Sequence, residues 1–328
     1  MTIRVAVYMI CKDESRFIER AVKSAAKADE IVVCDTGSTD DTLTKLKALN
    51  LPNLKVYSIN ISPWRFDDAR NAALALVDPT IDLCISLDAD EVLSDGFIEA
   101  LQALEGVQPL TQINHSFMTN WTWEQPNAAP SITRHFHERI HSRIGFRWIH
   151  PVHEKLVART AINVLWMTDL LMIQYPDASK SRSSYLYMLE QAVLEDPTDW
   201  KLWSFMAQEY ADRRQYDRVD YALNKAAECP NVDQVFIAWR RGGNALARMK
   251  TDEAEMHYMT AAMRAPNLRE AWIMLADLYH SQARADDEMF ALIRALKCTT
   301  ETQGYLRSEA AWNGSLEARL NKLQQKVA

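Results

Sequence analysis

No apolar run in this chain approaches the roughly 20 residues needed to cross a bilayer. The N-terminal MTIRVAVYMI is too short in its apolar part, and too soon followed by charge, to read as a secretory signal. No membrane partner is expected, and a cytoplasmic protein is. Cysteine is sparse and unpaired in pattern. Cys11, Cys34, Cys84, Cys229 and Cys298 are odd in number, widely spaced and form no C-x-x-C. That excludes a disulfide frame and the common cysteine zinc patterns, and points to free thiols in a reducing compartment. The eight glycines form neither G-x-G-x-x-G nor G-x-x-x-x-G-K-[ST], so a phosphate cradle built from glycine amides is excluded. Positive charge is in deficit, with 37 Lys and Arg against 44 Asp and Glu and a net charge of −7. Such a chain does not track nucleic acid by charge alone, although a local basic groove is compatible with it.

What is present is ordinary globular material, 48% hydrophobic and 25% charged over 328 residues, enough for two domains. Ile3 to Ile10 is rich in β-branched residues and predicts a strand. Phe17, Ile18, Ala21, Val22 and Ala25 are spaced as one helix face. Strands are predicted at 31–34, 54–59 and 82–87, with helices from Thr39 or Asp40 to about Leu49 and over 66–77. Strand and helix alternating at this spacing imply parallel βαβ units, which bind ligands outside the carboxyl ends of the strands. Asp13, Asp35 and Asp88 fall at such ends.

The most constraining stretch is Ile81 to Glu91, an apolar strand that stops at Asp88, Ala89, Asp90 and Glu91. In an extended segment residues i and i+2 point the same way, so Asp88 and Asp90 are expected to present oxygens to one side. Carboxylates that close repel unless a cation sits between them. The plainer alternative is a solvated turn that starts a helix, with Ser94 or Asp95 as its N-cap.

Ala28 to Thr42 with its Asp35-Thr36-Gly37-Ser38-Thr39-Asp40-Asp41 core, then Trp64 to Asn71, then Leu87 to Glu91 occur in an order and spacing that resembles a family 2, GT-A fold glycosyltransferase. The similar subgroup carries tetratricopeptide-like helices after the catalytic domain and includes bacterial peptide glycosyltransferases and phage-borne members. The resemblance covers roughly residues 3 to 155. It implies an α/β, Rossmann-like mixed sheet over 1–178, an all-α tetratricopeptide-like solenoid over 179–328, and a bacterial or phage-infected host cell as the setting. It also implies a metal-dependent inverting transfer from a UDP-sugar. Asp13, Asp35, Asp67, Arg70 and Asp88 would serve the nucleotide sugar, and Asp88, Asp90 and His153 would hold Mn²⁺ or Mg²⁺. A cation held by carboxylates neutralises a leaving diphosphate as a Lewis acid, and Arg70 suits a bidentate phosphate contact. The alternative for Arg70 is a surface pair with Asp67 at i and i+3.

Residues 111 to 175 look strand-rich, most clearly at 112–123 and 161–173. Six of the eight histidines (His115, His135, His137, His141, His150 and His153) fall there, in a spacing that matches no common zinc pattern. Arg147 to Glu154 resembles the V-H-E segment that closes the catalytic domain in the subgroup. By that resemblance His153 faces the metal or diphosphate. Glu154 is the candidate general base beside Asp90, with Glu91 and Glu124 as other acids able to fill the role. Trp121, Trp123, Phe136, Phe146 and Trp148 add aromatic surface, mostly core.

From about Ser181 the pattern is helical. Trp203, Ala207 and Tyr210 recur 69 residues on as Trp272, Ala276 and Tyr279, with Trp239, Gly243 and Leu246 between them. Ala226, Ala262 and Ala295 repeat in step, and Pro197, Pro230 and Pro266 punctuate the starts. This is close to the tetratricopeptide period, and such solenoids offer an extended binding face. A capping helix is expected within 302–328. The expected partners are a nucleotide sugar and a peptide or protein acceptor, with a homodimer through the repeats. A second reading takes hydroxymethylated pyrimidines in DNA as the acceptor, and a third is a non-catalytic tetratricopeptide adaptor.

Overall fold

A computed structural model describes residues 2–105, 107–125, 132–177, 179–180, 183–299 and 311–327. The chain divides into two compact units, Met1–Arg182 and Ser183–Ala328.

The first unit opens with β1 (Val5–Cys11), α1 (Ile18–Ser24), β2 (Glu30–Asp35), α2 (Thr42–Ala48), β3 (Leu54–Ser58), α3 (Phe66–Leu76) and β4 (Leu83–Ser86). All four strands are parallel, in the order β3-β2-β1-β4. Both faces of this half are covered, which is why its strands are apolar at nearly every position. Val5, Val7 and Met9 of β1 enter one core with α1. The alternate residues Ala6 and Tyr8 enter a second core with α3.

The sheet then turns mixed. After β5 (Glu91–Leu93) and α4 (Phe97–Gln102) come β6 (Thr111–Asn120), β7 (Ile132–Ser142), the hairpin strands β8 (Phe146–Ile149) and β9 (Lys155–Ala158), and β10 (Asn163–Gln174). The eight-stranded order is β3-β2-β1-β4-β7-β6-β10-β5. β7 runs antiparallel to both β4 and β6, and β10 runs parallel to β6. Two short elements correct the sequence reading. The acidic stretch leads into β5, not directly into a helix, and α4 starts after Gly96, whose φ of 78° only glycine adopts without strain. Likewise α2 starts at Thr42, because the Asp40 carboxylate accepts from the Thr42 and Ser15 amides and holds the preceding loop instead.

The second unit consists of α5 (Tyr185–Glu195), α6 (Trp200–Asp212), α7 (Tyr216–Glu228), α8 (Gln234–Ala247), α9 (Thr251–Arg264), α10 (Arg269–Ser281), α11 (Ala285–Leu296) and α12 (Ser315–Val327). The 69-residue echo in the sequence is a structural duplication. The Pro197 carbonyl accepts from the Trp203 indole at 2.9 Å and the Cys229 thiol at 3.5 Å. Pro266 accepts from Trp272 and Cys298 at the same two distances. Trp203 packs edge-on to Tyr221, and Trp272 to Phe290, each at 6.1 Å. The middle pair, α8 and α9, departs: Trp239 donates to the Met274 sulfur, and Gly242 lies flat against the Tyr258 ring. In α12, Leu316 is buried and Leu320 and Leu323 pack on the same core as α10 and α11. The first part of the expected capping helix lies outside the described residues.

Candidate active site

The carboxyl ends of β1, β2 and β4 form one rim, and the loops that cross it are tied by their own acids. Asp13, at φ 53°, accepts from the Thr39 amide at 2.6 Å and from the Thr39 hydroxyl, and its own amide donates to Ser38 Oγ. Asp35 is buried and accepts from the Gly37 and Ser38 amides at 3.1–3.2 Å. Asp13 therefore fixes the β1 loop against the β2 loop, and Asp35 holds the turn of the β2 loop itself.

Arg70 projects from the buried side of α3, one turn before Ala73 and Leu74. It is 6% exposed and far from a surface helix arginine. Its Nε donates to Glu154 Oε1 at 2.5 Å, Nη1 to Ser86 Oγ at 3.1 Å, and Nη2 pairs with Asp88 Oδ1 at 2.8 Å. Burial opposes a charge here, yet Asp88 and Glu154 together drive the guanidinium above its ordinary value. Asp67, the alternative partner, is held by Arg65 at 2.8 Å instead. Glu154 thus pairs with Arg70, while Arg143 donates to the Val77 carbonyl.

A second buried arginine closes the other side of Asp88. Arg139 Nη1 donates to Asp88 Oδ2 at 3.1 Å, and its Nη2 lies 3.7 Å from Glu91 Oε1. Arg139 was not among the residues singled out in the sequence, where no strand was assigned over 132–142, and a β-bulge adds to the difficulty. Ile113 pairs with Ile140, but His115 pairs with His137, so two steps on β6 match three on β7. The extra residue breaks the alternation. Since Ile85 pairs with Ile140, Arg139 falls opposite Ser86 at the end of β4.

Asp88, Asp90 and Glu91 bring oxygens within 4.8 Å of one another. They converge through a turn, closed by the Glu91 amide on the Asp88 carbonyl at 3.0 Å, and not through strand alternation. The trio is over-acidic as it stands. Burial would raise Asp88, but Arg139 and Arg70 hold it well below the usual carboxylate range. Burial and the charge of Asp88 push Asp90 up to about 6. Glu91 is fully buried and also pushed upward by burial, against the pull of Arg139. Its Oε2 accepts from the Asp88 amide at 2.8 Å, while its buried Oε1 has no hydrogen-bond donor. An orphaned carboxylate oxygen beside two others is a hard-oxygen set that fits Mg²⁺ or Mn²⁺. His153, at φ 51°, is not part of that trio. Glu91, read in the sequence only as a reserve base, takes the third place.

Of the aromatics, Phe146 and Trp148 are core, with Trp148 under the Arg70 guanidinium at 5.3 Å. Phe136 packs edge-on to Trp166, Trp121 is half exposed, and Trp123 sits among arginines at the rim. His141 is buried and satisfied between Tyr8 and the Ser142 carbonyl. His135 and His137 contact each other at 2.8 Å.

Residues 6–151 match the family model described as Glycosyl transferase family 2. With the mixed sheet and the acidic rim, that match makes this stretch a family 2 glycosyltransferase domain of the GT-A fold, here followed by tetratricopeptide-like helices. No curated protein matches the chain. Among solved structures, S. aureus TarS 1–349 is 15% identical over 80% of this chain and 91% of that one, at a TM-score of 0.44. Yeast Tom70 is 15% identical over 45% of this chain and 33% of that one, at 0.36. Pseudomonas aeruginosa pilF is 12% identical over 43% and 60%, at 0.34. No helix among the described residues is long and apolar enough to cross a membrane.

Proposed function

We propose that the first unit is a metal-dependent, inverting glycosyltransferase that moves a sugar from a UDP-sugar to an acceptor hydroxyl or amide, with a peptide or protein as the acceptor. The observation that carries this is the carboxylate trio. Among the described residues, Asp88, Glu91 and Glu154 pair with Arg70 and Arg139, Lys180 adds its charge toward Asp88 and Asp90, and one buried oxygen of Glu91 has no donor. Asp88, Asp90 and Glu91 would hold the divalent ion, which when bound supplies Lewis-acid neutralisation of the leaving diphosphate.

The remaining work falls to the chain. Asp13 and Asp35 hold the β1 and β2 loops where a nucleotide would lie. Arg70 orients Glu154 through a single oxygen, Oε1, so that Oε2 is the atom offered to the acceptor's proton. The acceptor attacks C1 on the face opposite the diphosphate, a bond forms from acceptor to C1, and the C1–oxygen bond to UDP breaks with inversion. His153, beside Glu154 in the chain, is assigned to the diphosphate side.

The test is binding and hydrolysis of a panel of nucleotide sugars with Mn²⁺, Mg²⁺ or EDTA. UDP release from one donor is expected only with metal, and Asp90→Ala is expected to lower it by at least about 100-fold. Binding of no nucleotide sugar under any condition would sink the reading.

A further inference from the structure

Three cations stand at the start of α1 and the end of β10, and two of them are neutralised. Arg16 pairs with Glu124, and Lys180 with Glu14. Arg20 is the exception: among the described residues it has no carboxylate partner and no side-chain hydrogen bond, and its Nη2 is buried without any acceptor. Its guanidinium lies 3.9 Å from the Tyr175 ring centre, 5.5 Å from Trp123 and 5.9 Å from Phe17. The cage is itself fixed. The Trp123 indole donates to the Pro176 carbonyl at 3.0 Å and meets Phe17 and Tyr175 edge-on, and the Tyr175 amide donates to the Asp90 carbonyl at 2.9 Å. So the cage is tied directly to the acidic turn.

Aromatic faces return roughly 2 kcal/mol to a desolvated cation. They supply no acceptor for its N–H groups, and burial pulls the guanidinium below its ordinary value, with Tyr175 and Asp90 opposing and Arg16 adding to the fall. A half-buried fork of donors held rigid and unpaired is suited to a planar or tetrahedral oxyanion. Its place in the sheet decides which substrate brings that group. Asp13 and Asp35 follow β1 and β2, whereas Trp123 and Tyr175 follow β6 and β10, at the opposite half of the order β3-β2-β1-β4-β7-β6-β10-β5. Asp88 to Glu91 lie between the halves.

We propose that Arg20, with Trp123 and Tyr175, is an oxyanion subsite that takes a carboxylate or phosphate group of the acceptor. The proposal rests on the glycosyltransferase reading above and adds that the acceptor carries negative charge near the attacking atom.

The test uses the full chain with sodium acetate and sodium phosphate as probes, titrated calorimetrically with and without saturating UDP and Mg²⁺. Saturation fills the diphosphate position, so anion binding that persists reports a second site. At least one probe is expected to bind the saturated wild type, acetate pointing to a carboxylate and phosphate to a phosphate group. Arg20→Met is expected to weaken that binding at least about tenfold, with UDP affinity within twofold of wild type. Arg20→Lys, which keeps the charge, is expected to recover part of the binding and guards against a folding defect in the first variant. The proposal is overturned if neither anion binds the saturated protein, if Arg20→Met binds both as well as wild type, or if Arg20→Met weakens UDP itself tenfold. Failure of wild type to bind UDP with any metal is a separate result, and it removes the UDP-sugar reading together with the acceptor assignment that rests on it.

Discussion

The Tyr8 hydroxyl sits at the centre of a buried chain of polar groups. It accepts from the Trp148 indole at 2.7 Å and meets His141 Nε2 at 2.8 Å, while His141 Nδ1 lies 2.9 Å from the Ser142 carbonyl. A carbonyl only accepts, so His141 carries its proton on Nδ1 and accepts from Tyr8. This arrangement needs a neutral ring, and burial lowers the His141 pKa to about 4. The folded value lies below the unfolded 6.5. The contribution of His141 to stability is therefore fully present above pH 6.5 and is lost as pH falls toward 4, by about 1.4 kcal/mol per pH unit. Denaturant titrations at pH 7.5, 6 and 5 should show wild type losing stability faster than His141→Gln, a variant that cannot titrate. Equal slopes would mean that His141 binds its proton equally in the folded and unfolded chain, and the buried neutral ring would then be wrong. The histidine was visible in the sequence and its role was not, because Tyr8 and Trp148 come from 133 residues before and 7 after it.

At the scale of elements, the parallel half of the sheet was legible because βαβ units announce themselves through local periodicity, and Arg70 was legible through its motif. Arg139 was missed because β7 itself was not read as a strand, and the bulge there has no local signature in Glu138-Arg139-Ile140. The trio's third member was obscured by treating 88–91 as extended when the chain turns there. The repeats read well where Trp203 and Trp272 keep the same partners. They read poorly at α8, where Trp239 abandons its proline and Gly242 replaces a side chain. That glycine is required by contact: a Cβ there would lie 2.3 Å from Tyr258 Cε1, in a ring that is 5% exposed. Gly242→Ala should cost about 1–3 kcal/mol from overpacking, more than the roughly 1 kcal/mol that alanine gains in a helix. Gly243→Ala, one residue on, meets nothing nearer than the Tyr258 hydroxyl at 4.0 Å and should stabilise. Opposite signs for the two neighbours, read from thermal melts, would establish that packing and not backbone propensity sets Gly242.

For the whole molecule, each unit has its own buried apolar centre. Val7, Ile31, Ile85 and Phe117 belong to one, and Ala262, Trp272, Leu275 and Ala291 to another. Units with separate cores are expected to unfold as separate cooperative blocks. The acidic trio and both of its arginines lie wholly in the first unit, so a ligand held there adds stability to that unit alone. At 100 times its dissociation constant a ligand adds about 2.7 kcal/mol to the state that binds it. Calorimetry of the full chain should accordingly resolve two transitions. UDP with Mn²⁺ should raise only the one that coincides with loss of the sheet signal, and Asp90→Ala should remove that shift. Gly242→Ala should lower only the other. A single transition moved by both perturbations would mean that the two cores are energetically one, and that the repeats act on the catalytic unit through stability as well as through any surface they present.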